Sequence, residues 1–355
     1  MPIARIGALV LGLVSTTLAH AATSQRTFVA STGVDANTAF NCSIVKPCRG
    51  FAAAISVTSA KGEVIVLDSA GYGPIASITQ SITITAPTGI YAGISVFSGD
   101  GITINASGTD TVVLRGLTIN GQGGANGITI TNALVVHVEN CVIANLTGIG
   151  INQANGLLEV KDTIVRNNGN IGVYVVGPGQ ANLDHVRLEA NNTGLAAEFG
   201  GHAAMQDSIV TGSPNIGVLA TNPTTGVSQV TISRSLISAN NYGVYVDANN
   251  SGNVVRVTIS DSTVSESGVA IHLTSNGSVF RPGQLHLTRD TVTANSIGLE
   301  IIANGWAFID NNNLAGNLTY DFTDDGSCTV ESSGNNLLDN AFYFPSTLFP
   351  FPLHL

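Results

Sequence analysis

The sequence predicts an all-β protein: a single-domain, right-handed parallel β-helix with three sheets and about nine or ten coils. Two observations carry this prediction. A short motif, in which Gly opens a run with apolar residues at alternate positions, recurs along the chain, and its glycines occur at 127, 148, 172, 194, 217, 243, 268 and 298. The spacing is therefore 21 to 30 residues. A period in the low twenties with strand-like alternation is typical of a solenoid.

Each repeat also contains two further apolar runs, such as "LLEV" and "TIV" before "GVYV". Because successive side chains of a strand point to opposite faces, the first residue after each Gly is predicted to point inward. The predicted inward set is Ile128, Ile149, Val173, Leu195, Val218, Val244, Val269 and Leu299. A leucine-rich repeat would need a fixed Leu-and-Asn consensus, and a propeller would need a period of ~40 residues, so neither fits.

The remaining segments follow from this architecture. Asn pairs at 167–168, 191–192 and 240–241 predict tight corners, since Asn tolerates the left-handed region. The stretch "CRGFAAAISVTSAKG" predicts a short helix that caps the N-terminal end of the core. The predicted boundaries are a signal peptide at 1–21, an N-terminal cap and first coil at 22–81, the β-helix at 82–320 and a C-terminal cap or tail at 321–355.

Residues 1–21 have the layout of a signal peptide. Arg5 precedes an apolar run, which ends in Ala19-His20-Ala21, a small-x-small cleavage site. A membrane anchor is the alternative, but the run is shorter than the ~20 residues that span a bilayer. The sequence therefore predicts a secreted, periplasmic or cell-surface protein with no membrane span after cleavage.

The net charge of the chain limits the classes of partner that it is expected to bind. Cleavage removes Arg5 and no acidic residue, which leaves 12 basic and 23 acidic residues and a net charge of −11. Nucleic acids and anionic membranes are bound through Lys and Arg clusters, so neither is expected as a partner. The same negative net charge argues against a basic groove that binds a polyuronate, unless a cation bridges the acidic protein and the acidic polymer.

Four cysteines are present. Cys42 and Cys48 flank five residues, and in an oxidising compartment this spacing predicts a disulfide. Cys141 lies in an apolar run and is predicted to be a buried thiol. The sequence indicates no disulfide partner for Cys328. The cysteines are too scattered for a zinc site.

The N-terminal region carries a family resemblance. The stretch from "RTFVASTGVDAN" through "NCSIVKPCRGFAAAI" to "GEVIVLDSAGYGPIASITQSITI" resembles exported bacterial right-handed β-helix proteins of the pectate-lyase-like superfamily. The resemblance implies fold and export but no single activity, since the superfamily includes lyases, hydrolases, esterases, epimerases and tailspikes. The lyase pattern of an Arg beside clustered Asp residues is missing, and so is the hydrolase pattern of three Asp signatures. Asp324-Asp325 is the sole adjacent Asp pair.

One outward wall carries candidate site residues. In the predicted alignment, Tyr174, Tyr245 and Glu300 lie two residues after the Gly, and Glu198, Asp247 and His272 lie four residues after it. Tyr rings can stack on sugars, so Tyr174, Tyr245 and Glu300 are the predicted substrate-binding residues. Glu198, Asp247 and His272 are the candidate acid–base residues. Glu198 and Asp247 are two coils apart, about 9.6 Å by strand spacing, at the edge of the separation in inverting glycosidases. A solvated wall without function is the alternative.

A column before the second strand contains Asp162, Asp184 and Asp207. Three stacked carboxylates repel one another unless they are hydrogen-bonded, protonated or bridged by a cation. They are therefore a calcium candidate, although Asx turns explain single Asp residues at a corner without any ligand. No other cofactor is expected.

Two function classes remain. The first is a protein that binds a polysaccharide or a cell-surface partner along one wall without chemistry. The second is a carbohydrate-active enzyme, either a polysaccharide lyase or a glycoside hydrolase, that uses the carboxylates of the same wall. The missing enzyme signatures and the acidic balance favour the first.

Overall fold

The computed structural model describes residues 23–224, 226–249, 253–276, 282–342 and 348–350. The chain winds into a solenoid of about 11 turns with three parallel sheets, which confirms the predicted fold class. The coil count exceeds the predicted nine or ten because coils continue on both sides of residues 82–320. The strand Ser24–Val29 already pairs with Thr58–Val66, and Thr329–Ser332 still pairs with Trp306–Asp310.

The three sheets have 14, 10 and 12 strands and are called sheets A, B and C. Sheet A comprises Ser24–Val29, Thr58–Val66, Ile82–Thr85, Thr111–Arg115, Val135–Glu139, Leu157–Lys161, Gln180–Asp184, His202–Gln206, Gly226–Ser233, Asn253–Ser260, Gly283–Thr288, Trp306–Asp310, Thr329–Ser332 and Leu348–Pro350. Sheet B comprises Ala70–Gly71, Ala92–Val96, Leu117–Gly121, Val142–Ala144, Ile164–Arg166, Arg187–Glu189, Ile209–Thr211, Leu236–Ser238, Thr263–Ser265 and Thr291–Thr293. Sheet C comprises Ile75–Ile78, Asp100–Asn105, Asn126–Asn132, Ile151–Gln153, Ile171–Val176, Thr193–Glu198, Ile216–Thr221, Tyr242–Asp247, Val269–Thr274, Ile297–Ile302, Tyr320–Asp324 and Ala341–Phe342.

The core lies between the sheets and is built from columns of aligned apolar side chains. On sheet C the column is Ile128, Ile151, Val173, Leu195, Val218, Val244, Ile271 and Leu299, all of them fully buried. Six members agree with the prediction, and two do not: Ile149 and Val269 are half-buried and lie two residues before the true inward positions. "GIGI" fits the motif in two registers, whereas in "GVAI" Ala270 takes the place of the motif Gly. In both coils, pairing with the neighbouring coils selects the later register.

The recurring glycine is required by the close approach of successive coils. A Cβ on Gly150 would lie 2.5 Å from the carbonyl oxygen of Gly172, and one on Gly172 would lie 2.6 Å from that of Gly194. A side chain at Gly150 or Gly172 would push these coils apart, because Cβ atoms do not approach backbone oxygens so closely. One coil carries Ala270 at the equivalent position.

The corner between sheets B and C is held by buried polar side chains. The backbone N–H and the Nδ2 of Asn168 donate to Oδ1 of Asn191 at 3.1 and 2.9 Å, and Nδ2 of Asn191 donates to the Val165 carbonyl. Later coils continue the row with Ser213, Asn240, Ser267, Asn295 and Asn317. Apart from that of Ser213, these side chains accept hydrogen bonds from N–H groups that the turn removes from the sheets. The first Asn pair forms the predicted corner, with Asn167 in the left-handed region at φ 54°. At the pairs 191–192 and 240–241 the left-handed residue is instead the preceding Ala190 or Ala239.

The corner between sheets A and B has a similar polar row, and one member of it is acidic. Asp290 is 1% exposed and accepts hydrogen bonds from the backbone N–H groups of Ser262 and Thr288 at 2.9 and 3.0 Å. Ser262 and Asn312 occupy the equivalent positions in adjacent coils. Burial raises the pKa of Asp290 to about 7, although these N–H groups act to lower it. The carboxyl therefore titrates near neutral pH inside the fold.

The N-terminal end is closed as predicted. The helix Phe51–Ser56 buries Phe51 and Ala54, and the Phe51 ring packs 5.3 Å from the Tyr72 ring. A short 3₁₀ helix, Asp35–Phe40, precedes it. The predicted disulfide joins Cys42 to Cys48 with a Cα–Cα distance of 4.9 Å.

Cys141 and Cys328 are buried free thiols, as expected for Cys141. Burial raises the pKa of Cys141 to about 11. The predicted signal peptide lies outside the described residues, and so does most of the aromatic C-terminal tail. Among the residues that the structure describes, none of the helices has the length and apolar character of a membrane-crossing helix.

The substitution Gly172→Ala should destabilise the fold by about 1–3 kcal/mol, because the added Cβ meets a backbone oxygen and the fixed side chain of Asn191. Thermal unfolding followed by circular dichroism would show this as a lower Tm. The matched control is Gly108→Ala, where a Cβ meets no atom within 4 Å, and its Tm should stay unchanged or rise slightly. Equal Tm values for Gly172→Ala and wild type would contradict the close approach.

The raised pKa of Asp290 predicts a pH dependence of stability. A folded-state pKa above the unfolded value means that the stabilisation is complete below the unfolded pKa of ~3.9 and is lost as pH rises through about 7. Asp290→Asn should remove this component. The stability of the variant relative to wild type should therefore increase between pH 5 and 8, measured as the difference in Tm. Asp261→Asn, at an exposed position on the same corner, should show no such increase, and a pH-independent difference for Asp290→Asn would contradict the assignment.

Candidate functional site

The outward face of sheet C brings the predicted residues onto one wall. Its first column consists of Tyr174, Ala196, Leu219, Tyr245, His272 and Glu300, one residue per coil in that order. Tyr174 and Tyr245 are both half-buried, and three coil steps separate them. Parallel strands lie ~4.8 Å apart, so the backbones of the two tyrosines are separated by about 14 Å.

A second outward column runs beside the first, two residues further along each strand. It contains Glu198, Thr221 and Asp247 in successive coils, followed by Thr274. The sequence alignment had placed His272 in this column together with Glu198 and Asp247. In the structure His272 pairs with Tyr245 and belongs to the first column, because the coil that contains Ala270 is shifted by two residues from the predicted register.

Tyr174 and Glu198 form a pair on adjacent coils. The Tyr174 hydroxyl donates to Oε2 of Glu198 at 2.9 Å. Burial raises the pKa of Glu198; the Tyr174 hydrogen bond acts to lower it, and the negative charge of Asp247 adds to the increase. Burial, and next the hydrogen bond to Glu198, raise the pKa of the Tyr174 hydroxyl. The Asp247 carboxylate is therefore electrostatically coupled to Glu198 across the intervening coil.

Three rings and a carboxylate form a second cluster. The Tyr245 ring lies 4.5 Å from the His272 ring, and Tyr242 meets both rings edge-on at 5.1 and 5.6 Å. His272 is 6% exposed, and its Nδ1 lies 2.6 Å from Oε2 of Glu300. This ring cluster, defined as Tyr242, Tyr245, His272 and Glu300, includes one residue that the sequence reasoning missed. Tyr242 precedes the motif Gly, and the position before Gly was assigned to the turn.

The ring cluster and Asp247 influence one another electrostatically. Burial raises the pKa of the Tyr245 hydroxyl, and the charges of Asp247 and Glu300 raise it further. Asp247 accepts a hydrogen bond from the backbone N–H of Asn249, which fixes its carboxylate at the end of the strand. Such a wall offers ring faces for stacking, carboxylates that accept hydrogen bonds, and a histidine oriented by a carboxylate.

The three aspartates of the calcium hypothesis do not form one column. Asp162 and Asp207 have left-handed backbone at the corner between sheets A and B, and His185 occupies the same place in the coil between them. Asp184 is the last residue of its sheet A strand. Asp184, His185 and Asp207 bring their ligand atoms within 4.8 Å of one another, without Asp162.

Nearby cations already neutralise these carboxylates. Arg234 makes two hydrogen bonds to Asp207, at 2.9 and 2.7 Å, and holds the pKa of that carboxyl below its usual range. Lys161 lies 3.5 Å from Asp184. The carboxylates of Asp184 and Asp207 therefore lie in an ion-pair network, and calcium binding by Asp162, Asp184 and Asp207 stays a prediction.

A groove of about 420 Å³ lies on sheet A, on a different wall from the predicted site. Glu159, Asn182, Asp184 and Gln206 line it, and Ala204 and Thr231 lie between them. Asn182 donates to Glu159 at 2.9 Å, and Gln206 donates to Asp184 at 3.3 Å. Apart from Asp184, the residues that line this groove are not sequence-predicted site residues, because the outward positions of these strands vary from one coil to the next. The small Ala204 between longer side chains is the one signal that could have indicated it.

The family assignment follows from a direct comparison. The model of the family described as "Right handed beta helix region" matches residues 100–292, just over half of the chain. The chain belongs to this family. The matched residues include Tyr242, Tyr245 and His272 of the ring cluster, whereas Glu300 lies beyond them. The match also establishes that the solenoid is right-handed.

Solved structures agree with this β-helix fold. The A-module of mannuronan C-5 epimerase AlgE4 from Azotobacter vinelandii is similar with a TM-score of 0.66 and 12% identity, covering 82% of this chain and 91% of that chain. The AlgE6 A-module from the same organism has a TM-score of 0.59 and 13% identity, covering 81% and 89%. The Dettilon tailspike protein has a TM-score of 0.58 and 12% identity, covering 82% and 63%.

None of the curated proteins matches the chain. At identities of 12–13%, the solved structures establish the β-helix fold and nothing about the chemistry of the wall. The site must therefore be interpreted from its own geometry.

Glu198 interacts with both Asp247 and Tyr174, and removing one or the other should shift the pKa of Glu198 in opposite directions. Asp247→Asn should lower the pKa of Glu198, because it removes a negative charge that disfavours a second one. Tyr174→Phe should raise it, because it removes a hydrogen bond that stabilises the carboxylate. NMR titration of ¹³C-labelled glutamate would measure both shifts. Asp162→Asn, on another corner, should leave the Glu198 titration unchanged, and shifts of the same sign in the first two variants would contradict the geometry.

Proposed function

We propose that this β-helix protein is exported and binds a polysaccharide chain along the outer face of sheet C, between the strands Ile171–Val176 and Ile297–Ile302. The observation that carries the proposal is the ring cluster, in which Tyr242 and Tyr245 remain half-buried on an outward wall beside Asp247 and Glu300. Half-buried tyrosines present a ring edge or face to solvent together with a hydroxyl, the combination that suits sugar binding.

The geometry suits an extended ligand. Tyr174 and Tyr245 stand about 14 Å apart by strand spacing, a distance that an oligosaccharide bridges and a monosaccharide does not. The stacked coils present parallel strands side by side, so the wall offers an extended surface along the solenoid axis. The names of the two epimerase modules include mannuronan, a polysaccharide, and this supports a polysaccharide as the ligand class.

Export is part of the proposal. The sequence of residues 1–21 has a signal-peptide layout, and the Cys42–Cys48 disulfide suits an oxidising compartment. Polysaccharides of cell surfaces are encountered outside the cytoplasm, so the location agrees with the ligand class. A cell-surface partner that displays such a chain would meet the same wall.

A second candidate function, catalysis, is favoured by one specific contact. The Nδ1 atom of His272 lies 2.6 Å from Glu300, and the Tyr245 ring lies against His272. A carboxylate that orients a histidine is the arrangement of a general base. Glu198, whose pKa is raised, would serve as an acid, and Asp247 would serve as the base two coils away. Binding ranks first because no set of reacting groups converges on one point.

The double substitution Tyr174→Ala and Tyr245→Ala should abolish oligosaccharide binding and leave the β-helix folded, since neither ring lies in the core. Isothermal titration with a panel of oligosaccharides measures binding, and circular dichroism monitors the fold. The matched control is Asn182→Ala with Gln206→Ala in the sheet A groove, which should bind as wild type does. Loss of binding in the control but not in the tyrosine variant would move the site to sheet A and overturn the proposal.

Asp247→Asn separates the two functions. An enzyme should lose turnover by about 10²-fold or more while its ligand affinity changes little, because a general base acts in the transition state. A binding protein has no turnover in wild type, as measured by release of reducing ends or of unsaturated products. Measurable wild-type turnover that Asp247→Asn leaves intact would rule out the catalytic assignment of this residue.

A further inference from the structure

The carboxylates of the sheet C wall recur on alternate coils. Glu198 lies on the strand Thr193–Glu198, Asp247 lies two strands further on, and Glu300 lies two strands beyond that. Strand spacing separates them by about 9.6 Å along the solenoid axis. Glu300 lies two residues earlier on its strand, so it belongs to the tyrosine column, whereas the other two carboxylates share the second column.

On the described strands of the wall, the one basic side chain is His272, whose Nδ1 lies 2.6 Å from Oε2 of Glu300. The six strands from Ile171–Val176 to Ile297–Ile302 contain neither Lys nor Arg. Arg234 and Arg289 lie on the corner between sheets A and B, where each is bonded to an aspartate of the preceding coil. Arg281 lies outside the described residues. The wall therefore carries a one-sided negative field, in contrast to the alternating charges of that corner.

Two groups on the wall respond to this field. The charge of Asp247 contributes to the raised pKa of Glu198, and the charges of Asp247 and Glu300 contribute to the raised pKa of the Tyr245 hydroxyl. In each group burial is the larger cause. A bound anion would meet the same repulsion, and burial beneath a ligand would strengthen it, since water no longer screens the charges.

We infer that the polysaccharide bound by this wall is an amino-sugar polymer with free, protonated amino groups, and not a polymer of uronic acids. The inference rests on the proposed function of the same wall. In an extended β-1,4-linked chain, successive sugars alternate in orientation, so the same substituent faces the wall at every second sugar. Carboxylates on every second coil match that alternation, and the half-buried ring of Tyr245, on the same strand as Asp247, lies where a sugar face would stack.

The test compares three oligomers of equal length: glucosamine units with free amines, the same units N-acetylated, and uronic acid units. Wild-type protein should bind the amine oligomer at least about tenfold more tightly than the N-acetylated one, a difference of about 1.4 kcal/mol. It should not bind the uronic acid oligomer measurably. The preference for free amines should shrink as the salt concentration rises, because exposed charges are screened.

The second part of the experiment uses a variant in which the three carboxylates of the sheet C wall are neutralised. The combined variant Glu198→Gln, Asp247→Asn and Glu300→Gln should lose the preference for free amines and bind both glucosamine oligomers alike. The matched control neutralises Glu63, Glu139 and Glu159, which lie on sheet A and change the net charge by the same amount. The control should keep the wild-type preference. Asp247→Asn alone, at a carboxylate that accepts a hydrogen bond from the backbone N–H of Asn249, should show part of the loss if the triple variant does not fold.

The outcomes distinguish this inference from the function on which it rests. Equal binding of the amine and N-acetylated oligomers by wild type, or tighter binding of the uronic acid oligomer, would overturn the inference and leave polysaccharide binding intact. An unchanged preference in the triple variant would overturn it as well. Failure of all three oligomers to bind would overturn the proposed function itself.

Discussion

The fold depends on the hydrogen bonding of each coil to the next through three parallel sheets. This bonding fixes the separation of successive backbones at ~4.8 Å. At the point where the chain enters sheet C, the separation leaves no room for a Cβ, and Gly150, Gly172 and Gly194 face the carbonyl oxygens of the next coil. The corners then need side chains that satisfy the backbone N–H groups lost from the sheets, and buried residues such as Asn168 and Asn191 provide them.

The same spacing determines what the outer walls can do. A residue type that recurs on successive coils becomes a row with a regular interval, and a linear polymer can match such an interval. On sheet C the row combines rings with carboxylates, and on sheet A it combines amides with ion pairs. The regular wall therefore suits an extended chain, whereas the groove on sheet A follows from one small residue, Ala204, between longer neighbours.

Three sets of acidic residues in the described part of the chain differ in their electrostatic surroundings. At the corner between sheets A and B, Asp207 and Asp261 are paired with arginines, which hold the pKa of each carboxyl low. Inside the same corner, burial raises the pKa of Asp290 to about 7. On the sheet C wall, Glu198 and Asp247 are near no described cation and influence each other. Only the third set faces a surface that a ligand can reach without displacing an arginine.

The sequence by itself determined the fold class, the capping helix, the Cys42–Cys48 pair and six of the eight inward residues, because each depends on local periodicity or short spacing. The tertiary structure decided the rest. The registers of the coils with Ile151 and Ile271 depended on pairing with neighbours, since "GIGI" fits the motif twice and Ala270 replaces the motif Gly in "GVAI". That pairing moved His272 against Tyr245 and brought Tyr242 into the ring cluster. Contacts between coils join residues more than twenty positions apart, and no local pattern encodes which of two registers they will share.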